Sequence, residues 1–365
     1  MLSLFSGIGA FEKALDRCEI DYKLVNYCEK DKYAAKSYSL IHHVTEDINL
    51  GDIVEVDVSK IENIDLVTYG FPCTDISVAG KQAGFVDKNG KLTRSGLFFE
   101  ALRIIENTQP KIAICENVKA LTGKKFAKEF QTVLDSLENA GYVNYCKVLN
   151  ANNYGMPQNR ERVFIVSIRK DVDKGFSFPE SIPLKKQLKD VLEDNVDEKY
   201  YLNEKMVEKI IEYNQKRNSS GIIQVAQIYP NSGNPQAGRI YELSGISPSL
   251  DTCQGGNRMP EIIVYDDYNN RVKADQSCIG TLTTNIGNTA PRNGTKIIEL
   301  LNQNIKIRKL TPKECFRLMG FDDNDVDILI ENQISDSQLY KMAGNSIVVN
   351  ILEGIFTNLR QYGYI

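Results

Sequence analysis

The sequence predicts an α/β fold on a mostly parallel sheet, followed by a smaller, loop-rich unit containing β-strands. Three observations carry this. Over the first 170 residues, short apolar runs alternate with longer amphipathic stretches, the pattern of βαβ units. The composition changes near residue 175, and from about 219 to 305 the chain is rich in Gly, Asn, Thr, Ser and Pro. Helical pattern then returns at 312–319 and 347–362. A length of 365 residues suits about two domains at roughly 100–200 residues each.

The elements follow in order. Residues 1–5 form a short apolar strand that runs into Ser6-Gly7-Ile8-Gly9. Residues 10–18 place Phe11, Ala14, Leu15 and Cys18 at i, i+3, i+4 and i+7, which predicts a helix. KLVNYC (23–28) is a second strand, and DKYAAKSYSLI (31–41) a helix. IDLVTY (64–69) and IAIC (112–115) are the third and fourth strands. An amphipathic helix over 126–140 precedes a strand at 142–149, and RVFIVSI (162–168) is an uninterrupted apolar strand. Residues 177–197 mix prolines with charges and read as a boundary. Beyond it lie the β-type runs IIQVAQIY, EIIVY and KIIEL. The expected division is therefore 1–176 plus 330–365 for the large domain and 177–329 for the small one.

A weak repeat lies in the second region. GISPSLDTCQGGNRMPEIIV (245–264) and CIGTLTTNIGNTAPRNGTKIIE (278–299) share an order of Gly, Ser/Thr-Leu, a polar loop, Pro and a β-type run. Two copies make a duplicated loop-and-strand element, since a solenoid needs three or more.

Composition excludes several classes. The net charge is −4 and the pI near 5.5, which argues against nucleic-acid binding through overall charge but leaves room for a local basic cleft. The two histidines, His42 and His43, are adjacent, so a Ser-His-Asp hydrolase or a multi-histidine metal site is excluded. The eight cysteines form no CxxC pair and no zinc-like spacing, so no metal is expected, and their scatter reads as reduced thiols. The N-terminal stretch lacks the basic start of a signal peptide, and no run approaches the roughly 20 apolar residues of a membrane span. A cytoplasmic location is expected.

Four places carry candidate chemistry. FSGIGAFE is a glycine turn between a strand and a helix, where a ligand can approach the backbone. Glu29 ends the second strand, where a ribose diol is gripped in such folds, and Asp52 follows in GDI; both are otherwise solvated loop acids. In YGFPCTDIS, Cys73 follows the third strand, either as a buried core thiol or as a nucleophile, and Pro72 restrains the backbone before it. The succeeding VAGKQAGFVDKNGKLTRSG, with Lys81, Lys88, Lys91 and Arg94, reads as a long basic loop suited to an anionic substrate. In CENV, Glu116 at a strand end is either a general acid or a structural cap. In QNRERVFIV, Arg160 and Arg162 are two apart entering a strand, so they share a face, as anion-binding groups or as surface ion pairs.

The order FSGIGAFE, CEKD, GDI, GFPC, ENV, QNRER, RKLTPKECFRLMGF and QLYKMAGNSIVVNI resembles the DNA (cytosine-5) methyltransferases, over residues 1 to about 170 and 306 to about 355. The resemblance implies a Rossmann-like S-adenosylmethionine-dependent methyltransferase domain and a smaller target-recognition domain between the blocks. It implies that Phe5, Gly7, Gly9, Ile53 and Pro72 line the cofactor pocket, that Glu29 bonds the ribose and Asp52 the adenine, and that Asn345 and Ser346 close the cofactor side. Asp47, in EDI, rivals Asp52. Cys73 would be the nucleophile, Glu116 the acid at the cytosine ring, Arg162 the contact to its carbonyl, and Arg160 the contact to the neighbouring phosphate. Ser77 and Arg94 would touch double-stranded DNA around a base flipped out of the helix.

In the recognition region, Gln236 would fill the space left by that base, and Arg239, Arg258 and Arg292 would supply charge. The family's Thr-Leu pair has two candidates, Ser249-Leu250 in the first copy and Thr281-Leu282 in the second. A monomer of bacterial or phage type is expected, with a restriction endonuclease, where one exists, acting separately. Competing readings are a tRNA cytosine-5 methyltransferase and a catalytically silent DNA-binding relative. A nicotinamide-dependent dehydrogenase fits the βαβ pattern but has no use for FSGIGAFE or the Pro-Cys turn.

Overall fold

The computed structural model describes residues 1–72, 84–85, 93–201, 203, 224–227, 239–241, 247–248, 250, 261–265 and 305–365. Its large domain centres on a six-stranded sheet of order β2-β1-β3-β4-β7-β5. The strands are β1 (Leu2–Leu4), β2 (Asn26–Cys28), β3 (Leu66–Tyr69), β4 (Ile112–Val118), β5 (Tyr142–Asn150) and β7 (Glu161–Arg169). β1 pairs in parallel with β2 and β3, and β3 with β4, while β7 runs antiparallel between β4 and β5. Each strand expected in the first 170 residues is present.

Alternation along the strands explains why helices cover both faces. Ile112 and Ile114 of β4 join one buried cluster, with Phe164, Val166 and Ile168 of β7. Ala113 and Cys115 join the other, with Val163 and Ile165. Successive side chains of a strand point to opposite faces, so an apolar run without polar breaks must be buried twice.

The second cluster is closed by α3 (Phe98–Thr108) and α4 (Ala127–Asn139). The first is closed by α1 (Ala10–Arg17) and by a C-terminal group: α5 (Pro312–Leu318), α6 (Asp323–Glu331), α7 (Asp336–Asn345) and α8 (Val349–Gln361). Phe11 of α1 meets Phe356 of α8 edge-on at 6.4 Å, so the C-terminal helix returns to the first helix as expected. α2 (Lys32–His42), capped by Asp31, links β2 to the third strand's approach.

Of the residues expected in the small domain, Leu310, Phe316, Met319, Phe321, Val326 and Leu329 pack in the same cluster as Ile112 and Leu352. Leu188 and Val191 join them. The small sheet holds four strands in the order β12-β11-β9-β8: β8 (Gln224–Gln227), β9 (Arg239–Tyr241), β11 (Glu261–Tyr265) and β12 (Ile305–Lys309). The run KIIEL lies outside the described residues.

A buried ion pair joins the end of β12 to α5. Arg308 and Glu314 are almost wholly buried, and the guanidinium grips the carboxylate through two bonds of 2.7 and 2.8 Å. The same carboxylate accepts the N–H groups of Thr311 and Glu193, at 2.8 and 2.9 Å. Four donors offset the cost of burying the charge. Removing one partner leaves the other charge buried alone, so Glu314→Ala is expected to cost about 3–5 kcal/mol in urea unfolding. Replacing both partners by apolar side chains of similar volume should recover part of that loss.

Candidate active site

Strand register assembles the site. Leu4 stands opposite Cys28 and Tyr69, and Tyr69 opposite Cys115. The next residues, Phe5, Glu29 and Gly70, therefore leave the sheet in one row at its carboxyl end, where open α/β sheets hold ligands, and Glu116 lies beside them in β4, which runs on to Val118. Phe5, Gly7 and Gly9 all have positive φ, at 53°, 57° and 77°. A Cβ on Gly9 would lie 2.0 Å from His42 Nε2, whereas one on Gly7 would meet no atom within 4 Å. Glycine at position 9 is thus required by both conformation and space, and Gly7 faces an opening.

The turn is tied to β2. Cys28 N donates to Ser6 Oγ at 3.2 Å, Gly7 N to Glu29 Oε2 at 2.9 Å, and Asp31 N to Glu29 Oε1 at 2.7 Å. Burial pushes the Glu29 carboxyl above the ordinary carboxylate range, and the N–H groups of Asp31 and Gly7 pull it back. Each oxygen keeps a second lone pair for a hydroxyl donor. Open space over Gly7 and Gly51, beside this carboxylate, fits the ribose and backbone approach of an adenosine-type cofactor.

Asn49, which the sequence reading passed over, orders the neighbouring turn. Its Oδ1 accepts from Glu29 N and Gly51 N, both at 3.0 Å, and its Nδ2 donates to Glu29 O at 3.0 Å. Cys28 Sγ donates to Gly51 O at 3.1 Å. These bonds tie Gly51, which leads into Asp52 and the buried Ile53, to Glu29; Asp47 lies exposed in the turn Glu46–Ile48, which Asn49 also bonds through its N–H to Glu46 O at 3.0 Å. Asp52 is paired with exposed Lys30, which holds its carboxyl below the usual range.

At the other end of the row, Arg162 Nε bonds Glu116 Oε1 at 3.0 Å. Val118 of β4 lies opposite Arg162 of β7, and Glu116 is two residues from Val118, so the two side chains share a face. Burial raises the Glu116 carboxyl; the charges of Arg162, then Arg160, oppose the rise without cancelling it. A Cβ on Gly70 would stand 3.6 Å from Glu116 Oε2, so the second oxygen faces the chain leading to Phe71 and half-buried Pro72.

Asn117, also missed, points to the opposite face and donates from Nδ2 to Phe71 O at 3.0 Å. Phe71 packs on Phe85 and Phe98, with ring centroids 6.0 and 5.5 Å away. The start of the Pro72 turn is thereby held against β4. The signal available in sequence was a polar residue inside an otherwise apolar strand. Cys73 and Ser77 lie outside the described residues.

Arg160, for which a phosphate contact was expected, is buried: Nη1 donates to Leu250 O at 2.7 Å, and Nη2 to Gly344 O at 3.0 Å and Ser346 O at 2.7 Å. It precedes β7, outside that strand's alternation, so two-residue spacing did not place it beside Arg162. Ser346 is buried and Asn345 exposed at the end of α7. Arg94 is exposed at the start of the turn Ser95–Leu97. Arg239 lies in β9, while Gln236, Ser249, Arg258, Thr281, Leu282 and Arg292 fall outside the described residues.

Comparison with known proteins adds the following. The family model described as C-5 cytosine-specific DNA methylase matches residues 1–361. The chain is 36% identical to the orphan methyltransferase M.SPBetaI of Bacillus phage SPbeta, covering 98% of this chain and 97% of that one. It is 30% identical to the type II methyltransferase M.HhaI of Haemophilus parahaemolyticus, over 98% and 93% of the two chains. Among solved structures, S. pombe Dnmt2 methyltransferase shares the fold at a TM-score of 0.66 and 18% identity, covering 99% of this chain and 98% of that one.

The Glu116 environment has a measurable consequence. A carboxyl whose folded value lies above its ordinary 4.5 stabilises the fold at low pH, and that contribution is lost as pH rises through the folded value. Glu116→Gln does not titrate. Its thermal midpoint should therefore gain on the wild type as pH rises from about 4. A gap that stays constant, or closes, would show that Arg162 outweighs burial.

Proposed function

The chain belongs to the C-5 cytosine-specific DNA methylase family, and we propose from that premise how its residues divide the work of methylating C5 of cytosine in double-stranded DNA. It is a DNA cytosine-5 methyltransferase. The Glu116–Arg162 pair carries the reading of the reacting centre, because it lies beside the row of strand ends and just across from the turn that leads to Cys73.

S-adenosylmethionine, when bound, supplies an electrophilic methyl group. Phe5, Gly7, Gly9, Glu29, Asp52 and Ile53 would hold it, with Pro72, Asn345 and Ser346 at the edges. Glu29 would accept the ribose hydroxyls through its spare lone pairs. The target base must leave the helical stack to reach this end of the sheet, at a cost of a few kcal/mol. The Cys73 thiolate then forms a bond to C6, and the ring electrons move toward N3. Glu116 delivers a proton there from Oε2, since Oε1 is held by Arg162. C5 becomes enamine-like and nucleophilic. As C5 takes the methyl group the N3 proton returns to Glu116; a base then takes the C5 proton, the S–C6 bond breaks and the thiolate is released.

Burial raises the Glu116 carboxyl, the direction that favours a proton donor. Arg162 would also reach the cytosine carbonyl. Ser77 and Arg94 would contact the duplex, and Gln236 would occupy the vacated space. The region 219–305 would read the sequence through Arg239, Arg258, Arg292 and one of its two Ser/Thr-Leu pairs. We place the enzyme in the cytoplasm as a monomer; among the described residues no helix is long and apolar enough to cross a membrane.

The test is transfer of tritium from labelled S-adenosylmethionine to unmethylated duplex DNA, with the product sequenced for 5-methylcytosine. Cys73→Ser should reduce label to background, and Glu116→Gln should lower kcat by about 10²–10⁴-fold. Label in tRNA but not in DNA would overturn the DNA reading. Unchanged activity of Cys73→Ser would overturn the covalent route.

A further inference from the structure

We infer that Arg160 is a positioning residue that couples the recognition segment at Leu250 to the cofactor-side turn at 344–346. This rests on the reading of those two segments given above. The guanidinium is buried, and its two terminal nitrogens are shared between them: one on Leu250 O, the other on Gly344 O and Ser346 O. A planar fork suits this task, because its donors hold fixed angles to one another. If either segment moves, the guanidinium must follow or lose a bond to the other.

The recognition segment is seated by more than this one contact. β10 (Ser247–Pro248) pairs in parallel with β6 (Gln158–Asn159), and Ser247 N donates to Pro157 O at 2.8 Å. Leu250 N donates to Gln158 Oε1 at 3.4 Å, while Gln158 Nε2 donates to Leu318 O at 3.0 Å. Leu250 itself is buried in the large domain's core. The first copy of the duplicated element is thus anchored on the catalytic domain through Gln158 and Arg160. The side chains differ in reach: Gln158 touches the recognition segment and α5, whereas Arg160 alone of the two also touches the 344–346 turn.

This difference gives the test, on the full-length protein. KM for unmethylated genomic DNA and KM for S-adenosylmethionine are measured for wild type, Arg160→Lys and Gln158→Leu, at several salt concentrations. A lysine keeps the charge but cannot span three carbonyls on two segments. Arg160→Lys should raise both constants about fivefold or more with an unchanged salt slope, and Gln158→Leu only the constant for DNA. A phosphate contact at Arg160 would instead move the DNA constant alone and alter its salt dependence, which would overturn the inference.

Calorimetry with S-adenosylhomocysteine, with and without the same DNA, gives a second reading that does not need Arg160→Lys to fold. DNA at saturation should tighten its binding to the wild type and equally to Gln158→Leu, whose Arg160 still bridges both segments, since binding at coupled sites is reciprocal. Absence of that tightening in the wild type, or equal loss of both constants in Gln158→Leu, would overturn the coupling. If the wild type transfers no label, the activity fails as a reading while the isotherms still decide the coupling.

Discussion

The parallel register of β1 to β4 is the constraint on which the site depends. These strands run in one direction, so the chain leaves the sheet at the same edge after Leu4, Cys28 and Tyr69, with Glu116 beside them in β4, which runs on to Val118. Groups far apart in sequence meet there without any local signal joining them. The register holds because both faces of the sheet are apolar and both are covered. One cover comes from helices between the strands. Much of the other comes from the C-terminal helices, so the site is not complete until the end of the chain has packed back against α1.

Two carboxylates at that edge are raised by burial, yet their partners fit them for different work. Glu29 is held by backbone N–H groups, which favour the ionised, accepting form and fix its orientation. Glu116 has a guanidinium on one oxygen and faces the Pro72 turn with the other. The first arrangement suits gripping hydroxyls. The second suits carrying a proton between two fixed positions. Asp52, paired with an exposed lysine, follows the opposite direction and stays ionised.

Loops around the row are placed by side chains that bond distant backbone. Asn49 binds the turn of Gly51 to Glu29, Asn117 binds Phe71 to β4, and Arg160 binds Leu250 to the 344–346 turn. A buried carbonyl or N–H without a partner is costly, so each such bond both satisfies a backbone group and restricts where its loop can sit. Arg308 and Glu314 do the same by charge at the junction of the small sheet with α5.

Local pattern was enough for the strands of the first 170 residues, for α1, α2 and α4, and for the glycine turn; that Glu116 and Arg162 share a face came only with the pairing of β4 and β7. α3 was lost because FFEALRIIENT follows directly on a loop rich in glycine and lysine, although Phe98, Ala101, Ile104 and Ile105 keep helical spacing. The rest of what only the tertiary structure decided concerns residues outside any regular period. Arg160 sits in the irregular step before β7, so its fate was set by three carbonyls from remote segments rather than by its distance from Arg162. Asp52 follows Gly51, which Asn49 ties to Glu29, a bond between remote segments that no local pattern announces. The apolar faces within 310–329 pack, among the described residues, in the cluster that holds Ile112 and Leu352. Local pattern reports which face of an element is apolar; which surface meets it, and which carbonyl a buried donor finds, is known only once the chain has closed.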